Sequence, residues 1–383
     1  MPQNKLPAVF MRGGTSKAVM FHARDLPKSR DAWAPIFLSL MGSPDPSLRQ
    51  LDGMGGGVSS LSKVCVIGPP SHPDADVDYT FAQILIDTPR VDFGINCGNM
   101  SSAIGPFAVD EGLVPKPAAG RDAVVRIYNT NTKKIIVARF PMDGDVAAVN
   151  GDMALDGVAG TGAPIRLEFM QPGGARTGKL LPTGKALDLL DVPEVGRIAC
   201  SMIDAANPCV LVSASTVDAT ATERPTEIET NKALMAKLET IRRHASVAMG
   251  IAPDVEAAGN MSAPFIAFVA APTAMTALSG RILTPADMDI CVRVISSGQP
   301  HRATPLTGAM CLAVATRVPG SIPYELAAKG GDPAKIRIAH PSGLIEVDAK
   351  VEPGKAGAEP HAAYAAVYRT ARRLFEGRVL YRE

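Results

Sequence analysis

VDFGINCGNMSSAIGPFAVDEGLV, residues 91–114, begins as a strand, passes through the polar turn Asn96-Cys97-Gly98-Asn99, and continues as a run of small and apolar residues that stops at Gly112. A helix built from Met, Ser, Ala, Ile, Gly and Phe has no solvated face, so it belongs inside a domain. Residues 291–320 repeat the order: Val292-Arg293-Val294-Ile295, a polar turn over 296–304, then PLTGAMCLAVATRVPG. Identity between the two stretches is low, and the shared order of elements carries the comparison. One buried helix in each half predicts an α/β protein of two similar lobes, with the active site where the two helix starts face each other. A length of 383 residues accommodates two domains. The division falls close to residue 190, after the Pro- and Gly-rich passage 171–184, giving an N-terminal lobe 1–188 and a C-terminal lobe 189–383.

Outward from residues 91–114 the pattern is mixed. Apolar runs predict strands over 61–67 and 79–87, and a hairpin of 8–12 with 18–21 around Gly13-Gly14-Thr15-Ser16-Lys17. Trp33, Ile36, Phe37, Leu40 and Met41 share one face of a helix over 30–41. The cluster LDGMGGG, 51–57, is a loop or a tight backbone approach. Further on come a hairpin of 124–128 with 134–140, strands over 198–203, 209–213, 265–270, 335–338 and 344–351, a periodic helix over 231–249, and a strand pair within 364–381.

Composition narrows the function. Hydrophobic residues make up 46% and charged residues 20%, which is ample material for a sizeable core. A formal net charge of +1 and an aromatic content of 5% argue against nucleic-acid and membrane-surface partners, and leave room for a local basic site that takes a small anion. The start MPQNKLPAVFMRGG lacks the charged-then-apolar pattern of a signal peptide. The apolar stretch 263–278 contains Pro and is too short to span a bilayer, so a cytoplasmic protein is expected. The cysteines, Cys65, Cys97, Cys200, Cys209, Cys291 and Cys311, form no C-x-x-C pair and read as reduced thiols. The histidines show no metal-ligand spacing, so neither a metal nor another cofactor is expected.

Two residues have local settings that suggest chemistry. Cys97 lies at a helix start, where the helix dipole and unpaired N–H groups favour a thiolate and bind carboxylates. Gly98 lets backbone approach a ligand, and Asn96 or Asn99 is placed to cap the helix. A buried structural thiol in a capped turn is the plainer alternative. Lys63 lies in the apolar run Leu61-Ser62-Lys63-Val64-Cys65-Val66, sharing a face with Leu61 and Cys65 by alternation. Among apolar neighbours it loses solvation and becomes a base. An outward lysine on an edge strand is the commoner situation. Arg12-Gly13-Gly14-Thr15-Ser16-Lys17 fails the phosphate-loop pattern but suits a carboxylate, and is equally readable as a plain hairpin turn. Asp52 to Gly57 is not a dinucleotide fingerprint. His301 adds positive charge before the second small-residue helix, or sits in a surface turn.

Together these residues resemble a known family. MRGGTSK (11–17), MGSPD (41–45), LDGMGGG (51–57), SSLSKV (59–64), DVDYTFAQ (76–83), RVDFGINCGN (90–99) and GPFA (105–108) are similar to the PrpF family. So are LPTGKALDLLDVPEVGRI (181–198), LETIRRHASVAMG (238–250), HPSG (340–343) and RTARRLFEG (369–377). The family includes 2-methylaconitate cis-trans isomerases and 4-oxalomesaconate tautomerases. The resemblance implies a diaminopimelate epimerase-like α/β fold of the α+β kind: two similar lobes, each a curled, mostly antiparallel sheet around a central helix. In such epimerases each lobe supplies a cysteine. Here the second turn, 300–307, has none, and Cys311 lies a turn inside the helix, which speaks against a two-thiol racemase.

The resemblance implies instead that Lys63 and Cys97 are the catalytic pair. The expected substrate-binding positions are Arg12, Gly14, Thr15, Ser16, Gly55, Gly56, Asn96, Gly98, Asn99, Met100, His301 and Thr307. The implied function is a cofactor-independent isomerase that moves a proton on a small unsaturated tricarboxylate, with 2-methylaconitate first. The alternatives are 4-oxalomesaconate tautomerisation and a non-catalytic carboxylate-binding protein of the same fold. The partner is a small polycarboxylate, and a homodimer is compatible with the sequence.

Overall fold

The computed structural model describes residues 3–94, 96–296, 298–331, 335–354 and 359–382. They form two compact units, residues 1–168 with 368–383 and residues 169–367.

The first unit contains β1 (Asn4–Gly13), β2 (Ser16–His22), α1 (Trp33–Met41), β3 (Lys63–Gly68), β4 (Val77–Ile84), α2 (Gly98–Asp110), β5 (Ala123–Asn129) and β6 (Lys134–Phe140). Along this series the pairings are antiparallel for β1–β2, parallel for β2–β3, antiparallel for β3–β4, parallel for β4–β5 and antiparallel for β5–β6. The second unit contains β7 (Gly196–Ala205), β8 (Asn207–Ser213), α3 (Lys232–Ala248), β9 (Phe265–Ala270), β10 (Ile290–Ser296), α4 (Leu306–Ala315), β11 (Ile336–His340) and β12 (Gly343–Glu352). Its pairings run antiparallel, parallel, antiparallel, parallel, antiparallel in the same succession. Each parallel step spans a helix, because neighbouring parallel strands need a crossover. The faint repeat around 91–114 and 291–320 is thus a repeat of topology, with α2 and α4 at the same place in each unit.

Two strands follow the repeats. β13 (His361–Arg369) pairs with β12, and β14 (Ala371–Tyr381) pairs antiparallel along the length of β1. This return of the chain to β1 is why the compact units differ from the expected 1–188 and 189–383. β14 lies along β1 and so joins the first unit, and the break falls at 168/169.

The central helices behave as their composition requires. Residues 100–109 of α2 are all buried, as are 308–315 of α4. The helix packs close to β6 because Gly105 lacks a side chain: a Cβ there would stand 2.7 Å from Phe140 Cε1 and 2.9 Å from Ala138 Cβ. Burying a residue such as Phe107 contributes roughly 2–3 kcal/mol. Strand 61–67 begins two residues later than its apolar run, because Ser59–Leu61 forms a single 3₁₀ turn. Leu61 therefore does not share a strand face with Lys63. Among the described residues no helix is long and apolar enough to cross a membrane.

Candidate active site

The β1–β2 turn lies directly against the first turn of α2, and glycine makes that approach possible. A Cβ on Gly13 would stand 2.7 Å from the Asn99 carbonyl oxygen and 3.1 Å from Met100 Cα. Gly14 has φ +52°, and a Cβ there would stand 2.3 Å from Asn99 Oδ1. Across this contact Asn99 Nδ2 donates to Thr15 Oγ1 at 3.1 Å, and the Cys97 thiol donates to Ser16 Oγ at 3.9 Å. Arg12, expected to meet substrate, is occupied in holding the turn. Its Nη1 donates to the carbonyls of Gly14 and Thr370, each at 2.9 Å.

Cys97 is the N-cap residue of α2, half-buried, and its side chain makes no capping bond. Its carbonyl accepts from the Ser101 N–H at 3.0 Å. The N–H groups of Gly98, Asn99 and Met100 lie in the first turn, where a helix offers no acceptor of its own. Neither asparagine caps the helix, contrary to expectation. Asn96 Oδ1 accepts from the buried Asn129 at 3.1 Å, while Asn99 Oδ1 accepts from Arg369 Nε at 3.1 Å. The Met100 side chain is fully buried in the core, so only its N–H is available to a ligand.

Lys63 opens β3 and is buried, at 7% exposure, which settles its orientation inward. Its Nζ donates to Gln83 Oε1, from the residue opposite on β4, and lies 5.2 Å from the Phe81 ring centre. Gln83 Nε2 is held by the carbonyls of Ser59 at 3.1 Å and Ser62 at 2.9 Å, so its oxygen must face the lysine. Cys65 lies two residues along the same strand face from Lys63. Burial and then Cys97 push the Cys65 thiol far up, while its bond to the Tyr79 hydroxyl at 3.8 Å and the charge on Lys63 pull it back. Tyr79 is likewise raised, by burial and then by Cys65 and Cys97.

The glycines of the 51–57 loop let it close tightly on its own neighbours. A Cβ on Gly55 would stand 2.3 Å from the Gln50 side chain, and one on Gly56 would stand 2.7 Å from Leu61 Cδ1. Gln50, 1% exposed, ties the loop together: its Nε2 donates to Ser43 Oγ at 2.8 Å and Ser62 Oγ at 2.7 Å, and its Oε1 accepts from Gly57 N at 3.0 Å. Gln50 lies outside the quoted motifs, and Gln83 ends DVDYTFAQ without that motif showing what it holds. Only strand register and loop closure bring them beside the residues they hold.

His301 and Thr307 belong to the second unit, before and within the first turn of α4. His301 Nε2 and Ser296 Oγ are 2.6 Å apart, and burial holds the imidazole below its usual range. Thr307 is half-buried. By topology the counterpart of Cys97 is Pro305, the N-cap of α4, and that of Lys63 is Phe265, which opens β9. The second unit therefore has neither a thiol nor an amine at the positions the first unit uses. Cys311 is fully buried in α4. Among the described residues no group of three or more His, Cys, Asp or Glu is arranged to hold a metal ion.

Such a fold defines a protein of duplicated α/β topology, with a buried lysine and a cysteine at an open helix start in the first unit. The chain belongs to the PrpF family: the family model, described as PrpF protein, matches residues 3–382. It is 39% identical to a 2-methyl-aconitate isomerase of Shewanella oneidensis, over 98% of this chain and 96% of that one. It is 41% identical to a 3-methylitaconate isomerase of Eubacterium barkeri, over 98% and 97%. The crystal structure of a methylitaconate-delta-isomerase matches it with a TM-score of 0.93 at 40% identity, covering 100% of this chain and 96% of that one.

Proposed function

We propose that this protein is an isomerase that moves a proton along the allylic unit of a small unsaturated polycarboxylate, with 2-methylaconitate the first substrate. The observation that carries the reading is the buried Lys63 amine at the start of β3, beside β2, whose first residue, Ser16, is met by the Cys97 thiol at the start of α2. A carbon next to a carboxylate is a weak acid, and removing its proton leaves an enolate-like dianion. The N–H groups at Gly98, Asn99 and Met100 offer preorganised donors for that charge. The Lys63 amine takes the proton, the double bond shifts, and a proton returns to the far end of the allylic unit. Cys97 supplies that proton or positions the substrate. The step consumes nothing and needs no oxidant: one C–H bond breaks and another forms.

Relatives of similar identity carry names for a methylaconitate and a methylitaconate isomerase, so 3-methylitaconate is the second substrate to try. The test is incubation in D2O with 2-methylaconitate, 3-methylitaconate and 4-oxalomesaconate, followed by NMR. Deuterium enters the isomerised product, and Lys63→Met and Cys97→Ala each lower turnover by roughly 10²-fold or more without unfolding the protein. Wild-type turnover in Lys63→Met sinks the reading, and absence of exchange into any of the acids favours a non-catalytic carboxylate-binding protein.

A further inference from the structure

Three arginines among the described residues are buried: Arg242, Arg293 and Arg369. Two have acidic company. Arg242 pairs with Glu239 at 2.7 Å, and Arg293 lies in the field of Glu223 and Glu227. Arg369 has none. It is 8% exposed, its Nε donates to Asn99 Oδ1 at 3.1 Å, and its Nη1 donates to the Tyr368 carbonyl at 2.8 Å. Its Nη2 has no partner among the described residues, and no carboxylate lies within ion-pair reach there. Burial alone brings the guanidinium down to about 10.

A buried cation without a counter-charge is costly, and folded proteins keep one only where something offsets it. The neighbour of Arg369 is informative. Asn99 is the second residue of α2, beside the free N–H groups at the helix start, and its amide also reaches Thr15. Guanidinium and helix start are therefore joined through one side chain, and both are donors only.

We propose that Arg369, with the first turn of α2, forms a carboxylate-binding subsite that takes one carboxylate of the polycarboxylate ligand through the guanidinium's unpartnered edge. The missing counter-ion of Arg369 is then the ligand itself. Asn99 sets the guanidinium's direction, and the Gly13-Gly14 turn against Asn99 fixes that direction in turn. The subsite rests on reading the α2 start as a polycarboxylate site, and it is read by binding rather than turnover.

The probe is tricarballylate, a saturated tricarboxylate that cannot isomerise, titrated calorimetrically into the full chain and into Arg369→Met. The variant should bind roughly 30-fold more weakly or worse, because a buried charge partner is lost. Without ligand it should melt at or above the wild-type temperature, since an uncompensated charge is gone. A merely structural arginine would instead lower the melting point and leave binding alone. Tricarballylate binding within threefold of wild type in Arg369→Met overturns the subsite. Should Arg369→Met fail to fold, Arg369→Lys decides: a folded lysine variant with weakened binding supports the subsite, and unchanged binding overturns it. Binding that depends on Arg369 in a protein that isomerises no acid keeps the subsite and rejects the proposed function. Normal turnover with binding indifferent to Arg369 does the reverse.

Discussion

Lys63 and Gln83 stand directly opposite each other on β3 and β4, and the lysine amine donates to the glutamine oxygen. A neutral acceptor bonds an ammonium and an amine alike, so Lys63 can release its proton and still present its lone pair in a fixed direction. A carboxylate at 83 would hold the proton in place. Gln83→Glu should therefore lower kcat/KM roughly tenfold or more, because a carboxylate opposite the amine favours its charged form over the free base. Gln83→Leu should lower kcat roughly tenfold or more through lost orientation. An unchanged kcat/KM in Gln83→Glu would count against Lys63 as the base.

The Gly13 contact predicts a coupled defect. Gly13→Ala forces a Cβ against backbone atoms of Asn99 and Met100, which cannot swing aside as a flexible side chain would. The cost is on the order of 1–3 kcal/mol in denaturant unfolding. Activity should fall further than the lost stability explains, because the start of α2 is displaced. Full activity in a folded Gly13→Ala protein would show that this approach is not needed.

Accessibility separates the thiols. Cys97 is half-buried, whereas Cys65, Cys200, Cys209, Cys291 and Cys311 are buried. Brief treatment of the native protein with iodoacetamide should give one adduct, on Cys97, located by peptide mass spectrometry. Tricarballylate should slow its formation, and Cys97→Ala should abolish it.

One ion-pair cluster sets an acid limit on stability. Burial raises the Glu239 carboxyl, but hydrogen bonds from Arg242 and Arg243 outweigh it and hold the group below the usual carboxylate range. A carboxyl depressed in the folded state stabilises above its unfolded value, about 4.3. That stabilisation is lost as pH falls through the folded value. Glu239→Gln should cost about 1–3 kcal/mol at pH 7, because Arg242 loses its partner. The gap between variant and wild type should close well below pH 4.3. A gap independent of pH would assign the loss to packing.

Much of the fold was legible because hydrophobic period is local. The run of small residues predicted a helix over 100–112, against the observed Gly98–Asp110, and strand 265–270 has the bounds expected of it. Turn glycines at 13 and 14 were legible as a turn, but not what they press against. Gln83 was invisible beside Lys63, since strand register is not written in either strand alone. Arg369 lay inside a quoted motif, RTARRLFEG, yet its neighbour Asn99 is 270 positions away. The asparagine caps failed for the same reason: Asn129 and Arg369, both distant in sequence, compete for those side chains and win. The pairing of Lys63 with Cys97 entered through family resemblance, because neither local pattern selects it over a plain structural role.

The pairing of β1 with β14 bears on how the protein is born. A nascent chain that has already emerged through Lys63 and Cys97 still lacks Arg369, and it lacks the Thr370 carbonyl that accepts from both Arg12 and the Gly14 N–H. Until residues 371–381 are synthesised, β1 has one edge open, and the first unit must wait while the whole of the second is made. An unpaired strand edge is an invitation to aggregate, so this waiting edge is where a holding chaperone would be of use. The second unit, continuous in sequence, has no such delay.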